Sequence, residues 1–211
     1  MPGVGFSTSG IRWLQGALMQ IKTEIKDICL NGGDIERMVA AMAQQIVQGE
    51  GAAASPVLVG LNTKGLAIAK RLARHMALLC GVQPPIGRLE IACGESLSAS
   101  DTSSAMAGGE PIGGYEVQSV DLPFCIDGAA VVVVDDVAFT GRTARKALDV
   151  LGGIGTPVSL QLAVLVDRLF PNPAACPNVA GVQLDVSANE RLLVFLEEID
   201  GFSEVLVRRG W

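Results

Sequence analysis

The feature that most constrains this chain is the stretch at residues 129–148, AAVVVVDDVAFTGRTARKAL. Four consecutive valines, Val131, Val132, Val133 and Val134, meet two carboxylates, a small-residue turn and a helix-compatible segment. β-Branched residues without polar alternation suit a strand buried on both faces, as in a parallel sheet covered by helices. Asp135 and Asp136 then fall at the carboxyl end of that strand, where open α/β sheets bind ligands. Thr140, Gly141 and Thr143 follow at a predicted helix start, so backbone N–H groups, two hydroxyls and the helix dipole can converge on a phosphate. Arg142 adds a fixed positive charge. The aspartates are acceptors only, and suit a vicinal diol or a Mg²⁺ ion that bridges to phosphate. An ordinary Asp-rich turn before a capped helix explains the strand and the helix, but not Asp-Asp followed by Thr-Gly-Arg-Thr.

These residues closely resemble the binding motif for 5-phosphoribosyl 1-pyrophosphate (PRPP) in the type I phosphoribosyltransferases. The resemblance implies that Asp135 and Asp136 hold the ribose hydroxyls and Mg²⁺. It implies that Val137, Ala138, Phe139, Thr140, Gly141, Arg142 and Thr143 wrap the 5-phosphate. Catalysis would then rest on Asp135, Asp136 and Arg142.

At 211 residues the chain fits one α/β domain with a substantial core, and two full domains would be cramped. Aromatic residues make up 4% of the sequence, too few for a stacking platform that holds single-stranded nucleic acid. A net charge of −6 gives no general attraction to nucleic acid or to an anionic membrane. The five cysteines are odd in number and show no Cys-x-x-Cys spacing, which points to a reduced, cytoplasmic setting. The only histidine, His75, falls in a predicted helix and reads as structural, so a histidine-rich metal site is not supported. No apolar stretch reaches membrane-spanning length, and the N-terminus lacks a signal-peptide pattern.

Taken in order, Ile11, Leu14, Leu18, Ile21, Ile25 and Ile28 are spaced like a helix seam, which predicts a helical N-terminal extension over residues 1–25. The helix would pack on its own domain or contact a second subunit; alternatively residues 26–30 form a first strand, with Met19 the translation start. Asp34 is placed as N-cap of a helix whose stripe runs Ile35, Met38, Val39, Met42 and Ile46. A second strand, loop and helix follows: residues 56–61, then Asn62, Thr63, Lys64 and Gly65, then a helix to about Cys80. A lysine beside a glycine at a helix start can cradle an anion, and a plain turn is the alternative. Paired with the first motif, these four residues resemble the pyrophosphate loop of the same enzymes.

Residues 85–92 alternate like a strand, and residues 94–115, rich in Gly, Ser and Ala, read as a mobile loop. Between Leu89 and Gly141 the sequence carries no Lys, Arg or His, so that loop brings no cation to a leaving pyrophosphate. Another apolar strand, residues 158–166, ends in Asp167 and Arg168, a polar pair well placed for a ligand. Beyond a proline-broken loop, Ala180 and Gly181 either read the edge of a base through their backbone or form a surface turn. Residues 192–196 and 205–207 read as closing strands around an acidic turn.

Together LVGLNTKGLAIAKRLA, PIGRLEIA, LPFCIDGAAVVVVDDVAFTGRTARKALDVL and LQLAVLVDR resemble the PyrR family. The likeness runs over residues 26–207. It implies a single type I phosphoribosyltransferase domain over residues 26–211, with a mainly parallel central sheet flanked by helices and a small hood element. It also implies uridine nucleotides and an RNA hairpin as ligands, a homodimer or higher homo-oligomer, and conversion of uracil and PRPP to UMP and pyrophosphate with Mg²⁺. Three departures stand out. The family usually has Tyr-Arg-Asp-Asp where this chain has Cys93, Gly94, Glu95 and Ser96; residues 169–177 lack the family's basic residues; and Val182 replaces a common lysine. RNA affinity grows with the phosphates neutralised by Lys and Arg, so weak RNA binding is expected. The alternative to an enzyme is a nucleotide-sensing regulator of pyrimidine metabolism whose catalysis has gone with those cations. Phe139, at a position that is acidic in some purine-specific relatives, favours a pyrimidine.

Overall fold

The structure is a computed structural model and describes residues 25–49, 56–93, 114–187 and 190–209. The valine run becomes β5 (Ala130–Ala138), flanked in one six-stranded sheet by β2 (Val57–Leu61), β3 (Ile86–Cys93), β4 (Tyr115–Asp121), β6 (Ser159–Asp167) and β7 (Val179–Gln183). The order is β4-β3-β2-β5-β6-β7, parallel except for the antiparallel β3/β4 pair. Side chains alternate across β5. Val132 and Val134 join the core under α1 (Gly32–Gln48) and α2 (Asn62–Cys80), while Val131 and Val133 join the opposite core under α3 (Arg142–Ile154). Both faces of the run are therefore covered, which is why it lacks polar alternation.

That two-sided covering creates the crevice. From β2 the chain crosses through α2 to β3 on one side; from β5 it crosses through α3 to β6 on the other. Parallel crossovers are almost always right-handed, so reversing their direction puts α2 and α3 on opposite faces and leaves a gap between the carboxyl ends of β2 and β5. Two glycines draw the gap's walls together. A Cβ on Gly60 would lie 2.4 Å from Leu66 Cα, and one on Gly65 would lie 2.3 Å from the carbonyl oxygen of Val134. The first turn of α2 therefore rests directly on the backbone of β5, one residue before Asp135.

A smaller antiparallel sheet of order β1-β9-β8 forms the hood, from β1 (Ile25–Asn31), β8 (Glu190–Phe195) and β9 (Glu204–Arg209). Its residues Leu30, Val194 and Val205 pack into the same core as α1 and α2. Arg71 of α2, 4% exposed, ties this hood down. It grips Glu198 of the short helix α4 (Glu197–Asp200) through Nε at 2.8 Å and Nη2 at 2.6 Å, and reaches Ser203 Oγ at 3.0 Å and Glu36 at 3.3 Å. The hydrogen bonds from Arg71 hold the Glu198 carboxyl below its usual range.

Several local expectations are corrected. A seam helix reaching Ile28 is excluded, because residues from Ile25 pair with β9 as strand β1; residues 1–24 lie outside the described residues. Asp34 is not the N-cap of α1. Asn31 is, its side chain accepting from the Asp34 N–H while Asp34 accepts from the Asn31 N–H, a reciprocal capping box. Residues 62–65 form the first turn of α2 rather than a loop before it. The expected mobile loop gives way to β4 at Tyr115, and residues 94–113 lie outside the described residues. No helix among the described residues is long and apolar enough to cross a membrane, and no disulfide joins the described Cys29, Cys80, Cys125 and Cys176.

Two stability predictions follow from these contacts. Gly65→Ala forces a methyl group against a fixed carbonyl and should cost about 1–3 kcal/mol in urea unfolding; a wild-type midpoint would show that α2 is free to shift. Arg71→Ala should cost about 2–3 kcal/mol near neutral pH, since a charged hydrogen-bond fork is lost but the carboxylates left behind are partly solvated. Because Glu198 is held below its ordinary range, its contribution is present above the usual carboxylate pKa and lost as pH falls through the depressed one. The gap between Arg71→Ala and wild type should therefore narrow in acid.

Candidate active site

β5 carries Asp135 and Asp136 past the end of β2 and continues to Ala138 before the chain turns. The turn is made at Gly141, which has φ 71 and is the N-cap of α3. A Cβ there would sit 2.4 Å from the carbonyl oxygen of Ala175, so the residue must be glycine on two counts, conformation and space. The Ala174 N–H donates to the Thr140 carbonyl at 2.8 Å and locks the turn from behind. In front lies a small cavity of about 60 Å³ lined by Asp135, Val164 and residues 137–144. No side chain caps α3 and its first turn holds no acidic residue, so its leading amides are the orphan donors that an oxyanion satisfies. Arg142, exposed at the rim, makes no ion pair among the described residues.

The two carboxyls behave differently. Burial pushes Asp135 well above the usual carboxylate range, the adjacent Asp136 charge adds to the shift, and the Asp136 N–H, donating to Asp135 Oδ1 at 2.9 Å, opposes it. Asp136 accepts from the Val137 N–H at 3.0 Å. A buried carboxyl beside a second one is costly when charged, and a hard cation removes that cost. No cluster of three or more metal-ligating side chains exists among the described residues. The donor set thus fits Mg²⁺ held by one or two carboxylates and completed by ligand oxygens, not a cage made wholly of protein.

Across the gap, Asn62, Thr63, Lys64 and Gly65 stand against β5. Asn62 adopts φ 52 and accepts from the Ile91 N–H at 2.9 Å, pinning the turn to β3. Lys64 points to the hood: its ammonium donates to the Val194 carbonyl and lies 5.9 Å from the Phe195 ring. Thr63 is exposed at the tip of the turn.

The residues expected to face a base are partly occupied by contacts within the protein. Asp167 ends β6 and accepts from the Leu169 N–H at 3.1 Å and from the Gln183 amide at 3.2 Å. It lines a second, larger cavity of about 330 Å³ with Phe139, Phe170, Pro173, Cys176 and Gln183. Arg168 turns away to the hood, with Nη2 donating to the carbonyls of Ser187 and Glu190, and burial lowers its pKa. Ala180 and Gly181 lie within β7, paired with β6, and do not form a surface turn. A Cβ on Gly181 would meet Leu165 O at 2.7 Å and Met42 Sδ at 3.1 Å, so close packing under α1 accounts for this glycine. Sequence reasoning missed Ala174 and Ala175, the brace behind the phosphate loop. Small apolar residues in a proline-broken segment give no signal until the fold lays them against Gly141.

The phosphoribosyl transferase domain model matches residues 27–171. The chain is 37% identical over 181 residues to the Bifunctional protein PyrR of Chloroflexus aurantiacus, covering 86% of this chain and 94% of that one. It is 33% identical over 175 residues to the Bifunctional protein PyrR of Halalkalibacterium halodurans, covering 83% and 93%. In fold it is similar to the hypoxanthine phosphoribosyltransferase of Trypanosoma cruzi, with a TM-score of 0.64 at 14% identity over 90% of this chain and 99% of that one. The paired loops at the sheet's switch point, the hood above them and this extended likeness together place the chain in the PyrR family of the type I phosphoribosyltransferases.

Proposed function

We propose that the chain transfers a ribose 5-phosphate unit from PRPP to uracil, giving UMP and pyrophosphate, in the salvage or regulation of pyrimidines. The observation that carries this reading is the small cavity at residues 137–144 under the uncapped start of α3, bordered by Asp135 and faced by the turn at residues 62–65 across the switch point. The amides at the head of α3, with Thr140, Thr143 and Arg142, bind the 5-phosphate. Asp135 and Asp136 orient the ribose hydroxyls and would hold Mg²⁺, which when bound would offset the negative charge of pyrophosphate. The turn Asn62, Thr63, Lys64 and Gly65 receives the pyrophosphate. Asp167, in the larger cavity beside Gln183, faces the base edge. The bond from uracil N1 to C1′ forms as the C1′–O bond to pyrophosphate breaks, and the N1 proton passes to water. Positioning and charge carry the acceleration, since Phe139 offers no proton acceptor.

A second reading, a nucleotide sensor with little turnover, is favoured by one specific observation. Lys64 already spends a donor on the Val194 carbonyl, and residues 90–140 bring no cation of their own. RNA attenuation ranks lower because of the missing basic residues. A homo-oligomer and a cytoplasmic setting belong to the same proposal.

Two tests decide between these readings. Labelled uracil, PRPP and Mg²⁺ should yield UMP with wild-type protein and none with Asp135→Ala/Asp136→Ala. Mg²⁺-dependent PRPP binding without turnover would instead support the sensor, and neither would sink the site. Asp135→Asn should abolish Mg²⁺-dependent PRPP binding yet stabilise the free protein at neutral pH by about 0.5–2 kcal/mol, the usual gain when a functional site is relieved. The sign follows from the raised pKa. The charged form is penalised in the folded state, so wild-type stability declines as pH rises from the ordinary Asp value toward the raised one, while the Asn variant escapes the decline. Melting curves from pH 4 to 8 that run parallel would refute it.

A further inference from the structure

Phe139 opens the phosphate loop and Arg168 follows β6, and the two side chains are stacked. The guanidinium carbon lies 4.0 Å from the ring centroid, and Phe170 closes on the same ring edge-on at 4.8 Å and 77°. The backbones are joined as well, since the Arg168 N–H donates to the Ala138 carbonyl at 2.9 Å. From the stack Nη2 reaches out of the sheet and donates to two hood carbonyls, Ser187 at 3.0 Å and Glu190 at 2.9 Å. Its Nε is buried without a hydrogen-bond partner. The half-buried guanidinium thus turns Nη2 to two neutral carbonyls, with the Glu190 carboxylate near enough to act on its charge.

We propose that Arg168 is a positioning residue that clamps the phosphate loop to hood strand β8, acting on the 5-phosphate through Phe139 rather than on the base. Only a flat guanidinium can lie on a ring and fork to two carbonyls at once; an ammonium does one or the other. The clamp spans three pieces of chain distant in sequence: the loop after β5, the end of β6, and β8. Order in the loop is thereby linked to order in the hood.

The identity of that anion rests on the phosphoribosyl reading; the clamp itself does not. Calorimetry on the full chain with ribose 5-phosphate and, separately, with Mg²⁺ and pyrophosphate tests the first. Hydrogen exchange of amides 140–143 and 190–194 in ligand-free protein tests the second. Arg168→Met should weaken ribose 5-phosphate binding about tenfold, leave pyrophosphate binding unchanged, and speed exchange in both segments. Arg168→Lys should recover only part, and Phe139→Leu should add nothing further in the Arg168→Met background, because the two act as one unit. Equal weakening of both ligands, unchanged ribose 5-phosphate affinity, or full rescue by lysine would overturn the clamp. If Arg168→Met does not fold, Phe139→Leu should show the same split between ligands, and a lack of it overturns the proposal. Wild-type protein that binds neither ligand would refute the phosphoribosyl reading instead, with the exchange rates still deciding the clamp.

Discussion

Everything at this site depends on how closely the first turn of α2 approaches β5. With no side chain at Gly60 or Gly65, the turn settles onto the Val134 carbonyl, and residues 62–65 come up against β5 beside Asp135. A methyl group at either position meets main-chain atoms, which cannot rotate away as a side-chain tip would. The same approach brings the turn against the Asp135 backbone, beside a carboxyl that desolvation and the adjacent Asp136 charge hold above its usual range.

The cations are arranged around that constraint in an uneven way. Arg142 stands exposed at the rim of the phosphate cavity. Lys64 and Arg168 are each turned to carbonyls of β8, and Arg71 is consumed by Glu198, Glu36 and Ser203. Besides its apolar packing, the hood is thus tied down by positive side chains that come from the sheet and α2. A carbonyl is a weaker partner for an ammonium than a phosphate oxygen. Lys64 is therefore the cation better able to exchange its partner for an anion, whereas Arg71 is already charge-paired.

Much of this was legible in the sequence, and the rest was hidden for identifiable reasons. The valine run, the Asp pair and the glycine turn announced a buried strand that turns into a helix, because each needs its residue types at fixed offsets, and the structure has strand, turn and helix there. β4 was hidden because six of its seven residues are exposed, so no apolar alternation marks it. Asp34 misled because it is a good capping residue in its own right; the capping box that reassigns it needs Asn31, three residues earlier, which a strand pattern in β1 obscured. The glycine at position 181 looked like room for a base and is instead room for Met42 and the β6 backbone. A glycine in a sequence records that something comes close, without recording what.

The same reasoning sharpens the choice between enzyme and sensor. Turnover requires charge to be met where it develops, on the departing pyrophosphate; ligand binding requires only that charge already present be met. In the proposed reading the 5-phosphate end is furnished for the second task by α3's uncapped amides, the hydroxyls of Thr140 and Thr143, and Arg142, with the turn held by Gly141 and its alanine brace. The pyrophosphate end is furnished for the first task by Lys64 alone among the cations of its turn, and only once that lysine leaves the hood. If the chain is an enzyme, release of the Val194 carbonyl is part of reaching the transition state, and the hood strand becomes a participant in catalysis rather than a cover over it.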